Sequence, residues 1–167
     1  MRLANQKVRG KRQVVFSMVE GIIYHPKRDM DILLVVEAAS AGVGRHVIDL
    51  AKGLARASHR VELVYSPLRM DAAFGRGLDE LSRLGVRPTP LPMRRAPGPW
   101  DIPAALALRR FIRGRGPFDV VHGHSSKGGA LARLAALGLP GARVYTPHAM
   151  FTMDEALPAP QRWLFGA

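Results

Sequence analysis

Three short stretches hold the side chains best suited to chemistry. HGHSSKGG (122–129) carries two histidines, two serines and a lysine ahead of a glycine pair. TPHAMFTMD (146–154) carries His148 and Asp154. SAGVGRH (40–46) carries Gly42 and Gly44 on either side of Val43, just before a helical pattern. An imidazole can donate to a substrate oxygen or take a proton near neutral pH. Lys127, beside a helix start, is disfavoured by the dipole, so a bound anion would explain it better than capping does. Glycines ahead of a helix let the backbone turn sharply and bring unpaired N–H groups close to an anion. Ser125 or Ser126 suits the N-cap. His122 falls inside an apolar run and reads as a core histidine, whereas His124 stands at the exit, open to solvent or ligand. Each stretch also has a plain structural reading: a tight turn, a capped helix with a solvated lysine, and a rim histidine.

Other chemistries lack their residues. Without cysteine there is no thiol nucleophile, disulfide framework or Cys-based zinc site. No two-histidine helix motif or carboxylate cluster is present, so no metal site is expected. A GxSxG elbow is missing, and the serines start a helix instead of standing on a strained turn. No Walker lysine pattern occurs. A dinucleotide fingerprint would want a third glycine where Val47 stands, although Glu62 lies at the right distance for a ribose partner. No cofactor is expected.

The formal net charge of +12 implies attraction to polyanions. Arg109, Arg110 and Arg113 share one side of a helical pattern, and Arg94 and Arg95 lie in the loop before it. This basic face suits an anionic membrane surface. Nucleic acid is a poorer match, because the basic residues are not interleaved with aromatics that could stack on bases. Residues 1–30 form a basic leader, expected to be disordered, with an apolar run at 14–23. That run contains Glu20 and is far shorter than the roughly 20 apolar residues of a spanning helix. No other segment is long enough to span. The expected location is cytoplasmic, with peripheral attachment to the inner face of the plasma membrane left open.

The elements that must position these groups follow from residue 31 onward. ILLVVEA (32–38), RVELVYS (60–66), FDVVHGH (118–124) and ARVYTPH (142–148) read as strands, the first a continuous apolar run of the kind buried on both faces. Residues 45–57, 71–85, 102–116 and 128–138 have helical spacing, and 85–92 leaves room for a short strand. Six prolines between 87 and 103 forbid a helix or central strand there and predict a surface loop. Strands alternating with helices imply a parallel sheet with helices on both faces, whose ligands bind at the carboxyl ends of the strands. All three polar stretches stand at such ends.

The strings AGVGRHVIDLAKGL, LGVRPTPLPMRR, FDVVHGHSSKGGALARLAA and VYTPHAMF, in this order, resemble the amino-terminal domain of GT-B glycosyltransferases. They are most similar to the family 4 retaining enzymes of bacterial surface polysaccharide synthesis. The resemblance covers about residues 31–167, taken as one Rossmann-like domain. It implies an acceptor-binding half of an enzyme that moves a sugar from a nucleotide donor to a saccharide or lipid-linked saccharide. Carried over, Gly42, Val43 and Gly44 form the loop over the donor diphosphate. His148 is the implied catalytic histidine, and His124, Ser125, Ser126, Lys127 and Asp154 line the acceptor side. Ala41 departs from the pattern, standing where the family has the first of two adjacent glycines. QRWLFGA (161–167) reads as the start of a helix, so the last strand and the donor-binding domain with its glutamate pair are expected elsewhere. The alternative is a non-catalytic basic module that docks on anionic membrane or a partner domain.

Overall fold

A computed structural model describes residues 29–148, together with the backbone of 18–19 and 22–23. Met18–Val19 pairs antiparallel with Ile22–Ile23. The remainder of the leader, Asp154 and the stretch 161–167 lie outside the described residues.

The main elements are β1 (Asp31–Val36), α1 (Ala41–Arg56), β2 (Arg60–Tyr65), α2 (Ala72–Arg83), β3 (Arg87–Pro90), α3 (Asp101–Arg115), β4 (Val120–His124), α4 (Ser126–Ala135) and β5 (Ala142–Thr146). A 3-10 turn at Pro67–Arg69, not anticipated from the sequence, follows β2. The sheet is parallel throughout, in the order β3-β2-β1-β4-β5. This is the Rossmann-like α/β architecture expected from the alternation. The strand order reverses between β1 and β4, which makes their carboxyl ends the natural ligand crevice. Register sets Val36 opposite both Tyr65 and His124, so His124 stands level with the end of β1.

The continuous apolar run of β1 is explained by its two covered faces. Leu33 and Val35 pack with Leu108, Ile112 and Leu131 of α3 and α4. Ile32, Leu34 and Val36 pack with Val47, Ala51, Phe74 and Leu81 of α1 and α2. Each such side chain contributes about 1.5–3 kcal/mol by leaving water. Pro88 and Pro90 are tolerated in β3 because it is an edge strand, where missing donors cost no ladder bond on the open side.

Two local differences from the sequence reading matter for the site. First, α1 begins at Ala41 and not at residue 45, so Gly42, Val43 and Gly44 form its first turn instead of a separate loop. Asp71 drives this. Its carboxylate accepts from the Ala41 amide at 2.8 Å and from Phe74 at the start of α2 at 2.7 Å, tying two helix starts together. Those amides, Phe74 first, hold the Asp71 carboxyl below its ordinary range. Second, the glycines of GHSSKGG are packing residues. A Cβ on Gly123 would lie 2.6 Å from the Gly129 Cα, and one on Gly129 would lie 2.3 Å from the Tyr145 ring. On Gly128 it would meet the Glu37 amide at 3.1 Å. α4 therefore lies directly on β4 and against the neighbouring strands, and its amino end is drawn down to the sheet edge.

The proline-rich segment is anchored at both ends. Ser66 Oγ donates to the Met93 carbonyl at 2.9 Å and accepts from the Met93 amide at 3.1 Å. Asp101 accepts from the Gly98 amide at 3.1 Å, and Trp100 Nε1 donates to the Ala96 carbonyl at 2.9 Å.

Candidate functional site

Four histidines meet at the carboxyl edge of the sheet. His124 ends β4 and is fully buried, and His122 lies one strand repeat below it. His148 follows β5, and His46 stands exposed in the second turn of α1. The His122 and His124 rings are 4.0 Å apart, His46 and His148 4.9 Å, and His124 and His148 5.3 Å. His124 Nδ1 and His148 Nε2 share a hydrogen bond of 3.0 Å. His122 Nε2 meets Thr146 Oγ1 at 2.8 Å, which satisfies it as a core histidine should be.

Burial pushes the His124 imidazole down to about 3, and the neighbouring His122, His148 and His46 rings add to the effect by opposing a second positive charge. His122 is lowered for the same reasons, burial first and then His46 and His148. His148 is lowered by burial and then by His46. Near neutral pH the His122, His124 and His148 rings are neutral imidazoles that act as hydrogen-bond donors and acceptors, not cations.

Backbone strain gathers at the same edge. Ala41, Ser125 and His148 have φ of +48°, +63° and +60°. Ser58, at the far end of α1, is the other described non-glycine residue with positive φ. An L-residue in the left-handed region costs about 1–2 kcal/mol, and such costs persist where surrounding structure over-determines them. Ala41 thus adopts the conformation in which a glycine would be unstrained. Its departure from the family's glycine pair is a matter of backbone energy as well as of a methyl group.

The two glycines of α1 have different roles. A Cβ on Gly44 would press on Ala39 and Phe74 at 3.1 Å, whereas one on Gly42 would meet nothing within 4 Å. Gly44 is a packing residue, and Gly42 stands on open surface. The Gly44 amide makes the first turn bond, to the Ser40 carbonyl at 2.9 Å. The amides of Gly42 and Val43 precede it and are the helix's orphan donors.

Other anticipated residues are placed as follows. Ser125 stands at the N-cap of α4, but its Oγ makes no cap bond and is buried without a partner, as is His124 Nε2. Ser126 is exposed as the first residue of α4. Lys127 is neither solvated nor free. Its ammonium pairs with Asp101 at 2.8 Å and donates to the Ala96 carbonyl, clamping the proline-rich segment onto α4. Arg109 donates to the carbonyls of Ala135 and Leu137 at 3.0 and 2.7 Å, closing the carboxyl end of α4. Arg94, Arg95, Arg110 and Arg113 are exposed, and Arg94 lies over the Trp100 ring at 5.0 Å. Glu62 does not reach the crevice. It is buried in the amino half of β2, facing Arg60, Arg87 and Arg115, which removes the ribose partner of the nicotinamide reading.

Sequence reasoning passed over His46, Glu37 and Arg69. Glu37, buried just past β1, takes a two-pronged pair from Arg69 at 3.0 and 3.1 Å. A lone acidic residue ending an apolar strand is itself a signal that a cation must come to meet it.

Together these features define a Rossmann-like domain with a histidine cluster at the carboxyl edge of its sheet, near the topological switch point, a fold similar to that of GT-B glycosyltransferase domains. Residues 40–167 match the model of Glycosyltransferase Family 4, and the chain belongs to that family. No curated protein matches it. In structure it is similar to a glycosyltransferase from Rickettsia africae, with a TM-score of 0.60 and 20% identity over 83% of this chain and 34% of that one. It thus spans about a third of that protein's length. It is also similar to MurG of Acinetobacter baumannii, with a TM-score of 0.48 and 19% identity over 69% of this chain and 35% of that one. A hydrogenase domain from Pyrococcus furiosus reaches 0.47 at 12% identity, covering 73% of this chain and 94% of that one. The likeness to the Rickettsia africae protein speaks for the fold alone.

Proposed function

We propose that this domain is the acceptor-side half of a retaining glycosyltransferase that moves a sugar from a nucleotide-sugar donor to a saccharide or lipid-linked saccharide in surface polysaccharide synthesis. The supporting observation is that, in a chain of this family, His148 stands against His46 of α1 at the edge of the sheet where that helix begins. The orphan amides of Gly42 and Val43 face charge that develops on a leaving diphosphate, where preorganised donors have their largest effect. His148, neutral near pH 7, donates a hydrogen bond to an oxygen of the transferring sugar. Ser126, which is exposed, lines the acceptor side, and His124 and Ser125 lie buried behind it, so His124 is not open to a ligand as its place at the strand exit suggested. Lys127 reaches an acceptor only by leaving Asp101, and Asp154 is assigned to this side only because it follows His148 closely in sequence. The donor nucleotide is held by a second domain.

The test is His148→Ala in an active enzyme that contains this domain. Turnover is expected to fall by about 10²–10³, or ~2.7–4 kcal/mol, with the fold intact by circular dichroism. Near-parental turnover would leave His148 as a structural rim residue and remove the site assignment.

A second observation favours docking on an anionic membrane surface. Ile102 and Leu106 on α3 are 65% and 49% exposed, in line at helical spacing with Arg110 and Arg113. Trp100, Arg94 and Arg95 stand beside them. Each basic residue at such a surface contributes ~1 kcal/mol, screened beyond a Debye length of about 10 Å. Among the described residues no helix is long and apolar enough to cross a membrane. Flotation with anionic vesicles should recover the chain at low salt and lose it at high salt. Equal recovery on neutral vesicles would sink this reading.

A further inference from the structure

We propose that His46, His124 and His148 form a binding site for a transition-metal dication of the Zn²⁺ class. One ring nitrogen of each lies within 4.8 Å of one from each of the others. The ligands come from three separate elements, α1, β4 and the turn after β5, and no local spacing announces them.

The chemistry of the set selects the ion. Three imidazoles with neither thiolate nor carboxylate suit Zn²⁺, Cu²⁺, Ni²⁺ or Co²⁺ and do not suit Mg²⁺ or Ca²⁺. His124 Nδ1 and His148 Nε2 stand 3.0 Å apart. Two such nitrogens can face one another only when one carries a proton or when something else lies between them. Tetrahedral bonds of ~2.0–2.1 Å put neighbouring ligand nitrogens ~3.3–3.4 Å apart, so exchanging the shared proton for a metal needs only a small separation. His46 is farther off but exposed, and its side chain can swing toward the pair from the surface of α1.

His124 meets the ion through Nδ1, the nitrogen that faces His148, and its Nε2 points away from the site. The amino end of α1 opposes a cation electrostatically, but that effect is small beside three coordinate bonds. Three protein ligands leave a fourth position for water or an oxygen ligand, the arrangement of an open metal site.

The proposal does not depend on sugar transfer, and its test needs no turnover. The untagged chain, stripped with a chelator, is titrated with Co²⁺ as a visible-absorbing probe and then with Zn²⁺ in competition. Expected are one equivalent per chain, ligand-field bands of tetrahedral Co²⁺, and displacement by Zn²⁺. His148→Ala should weaken binding at least about tenfold. So should His46→Ala, which removes an exposed side chain and keeps the fold even where a change at buried His124 does not. His59→Ala, at the opposite edge, should change nothing. Absence of the bands, or the same affinity in His46→Ala as in the parent, would overturn the site.

Discussion

The two edges of the sheet differ in the polar groups they bury: a carboxylate ringed by arginines at the amino edge, and a cluster of imidazoles beside the Glu37–Arg69 pair at the carboxyl edge. At the amino edge every charge found buried has counter-charges around it. Glu62, 1% exposed, faces Arg60 at 3.6 Å and Arg87 and Arg115 at 3.8 Å. Asp31 pairs with Arg60, and Asp119 accepts from the Asp31 amide at 2.9 Å, joining β1 to β4. At the carboxyl edge four imidazoles crowd together, and the hydrogen bonds of the buried ring nitrogens run among themselves and to Thr146. His124 Nε2 and Ser125 Oγ there have no hydrogen-bond partner, just as the two Glu62 carboxylate oxygens at the amino edge have none, but only the carboxyl edge gathers three residues with positive φ. The amino edge sets its buried charge among arginines. The carboxyl edge carries backbone strain and a cluster of neutral rings, as a site that waits for a ligand does.

The sharpest way to break this contrast is Glu62→Gln. Removing one member of a fully buried pair costs about 3–5 kcal/mol, reduced here because the three arginines are 43–65% exposed. A loss of about 2–3 kcal/mol is expected in urea denaturation. A change below about 0.5 kcal/mol would class these ion pairs with ordinary surface ones.

Acid tests the opposite edge. The His124 imidazole titrates at about 3 in the folded chain and near 6.5 when unfolded. Between those values the unfolded chain binds more protons, so stability falls as pH is lowered through that window, by up to ~1.4 kcal/mol per pH unit. Metal-free chain is expected to lose about 2 kcal/mol between roughly pH 7.5 and pH 5. His124→Gln should flatten that slope, and a parental profile already flat would show that the ring is solvated in solution.

The smallest effect belongs to Ala41→Gly. Relief of left-handed strain of ~1–2 kcal/mol, less the ~0.5–1 kcal/mol entropic cost of glycine, leaves a gain of about 0.5–1 kcal/mol. Unchanged or reduced stability would mean that Ala41 carries no strain.

Much of the fold was legible because its signals are local. The doubly buried run 32–36, the helical spacing of Val47, Ile48 and Ala51, and the prolines of 87–103 each act within a few residues. Errors fell where distant groups intervene. The start of α1 moved to Ala41 because Asp71, thirty residues on, holds that amide. Lys127 and Arg109 looked like free cations, since nothing nearby in sequence reveals Asp101 or the end of α4.

The sequence by itself determined the class of fold, the family and the edge at which the polar stretches gather, because strand and helix periods and turn chemistry are short-range properties. The tertiary structure decided which polar groups are satisfied and which are left open. It turned Gly44, Gly123, Gly128 and Gly129 into packing residues and left Gly42 exposed. It also brought His46 to His124 and His148, from positions 78 and 102 residues away along the chain. Proximity between such residues is set by parallel crossover connections, which carry the chain from the end of one strand back to the start of the next and so return each strand's last residues to the same edge.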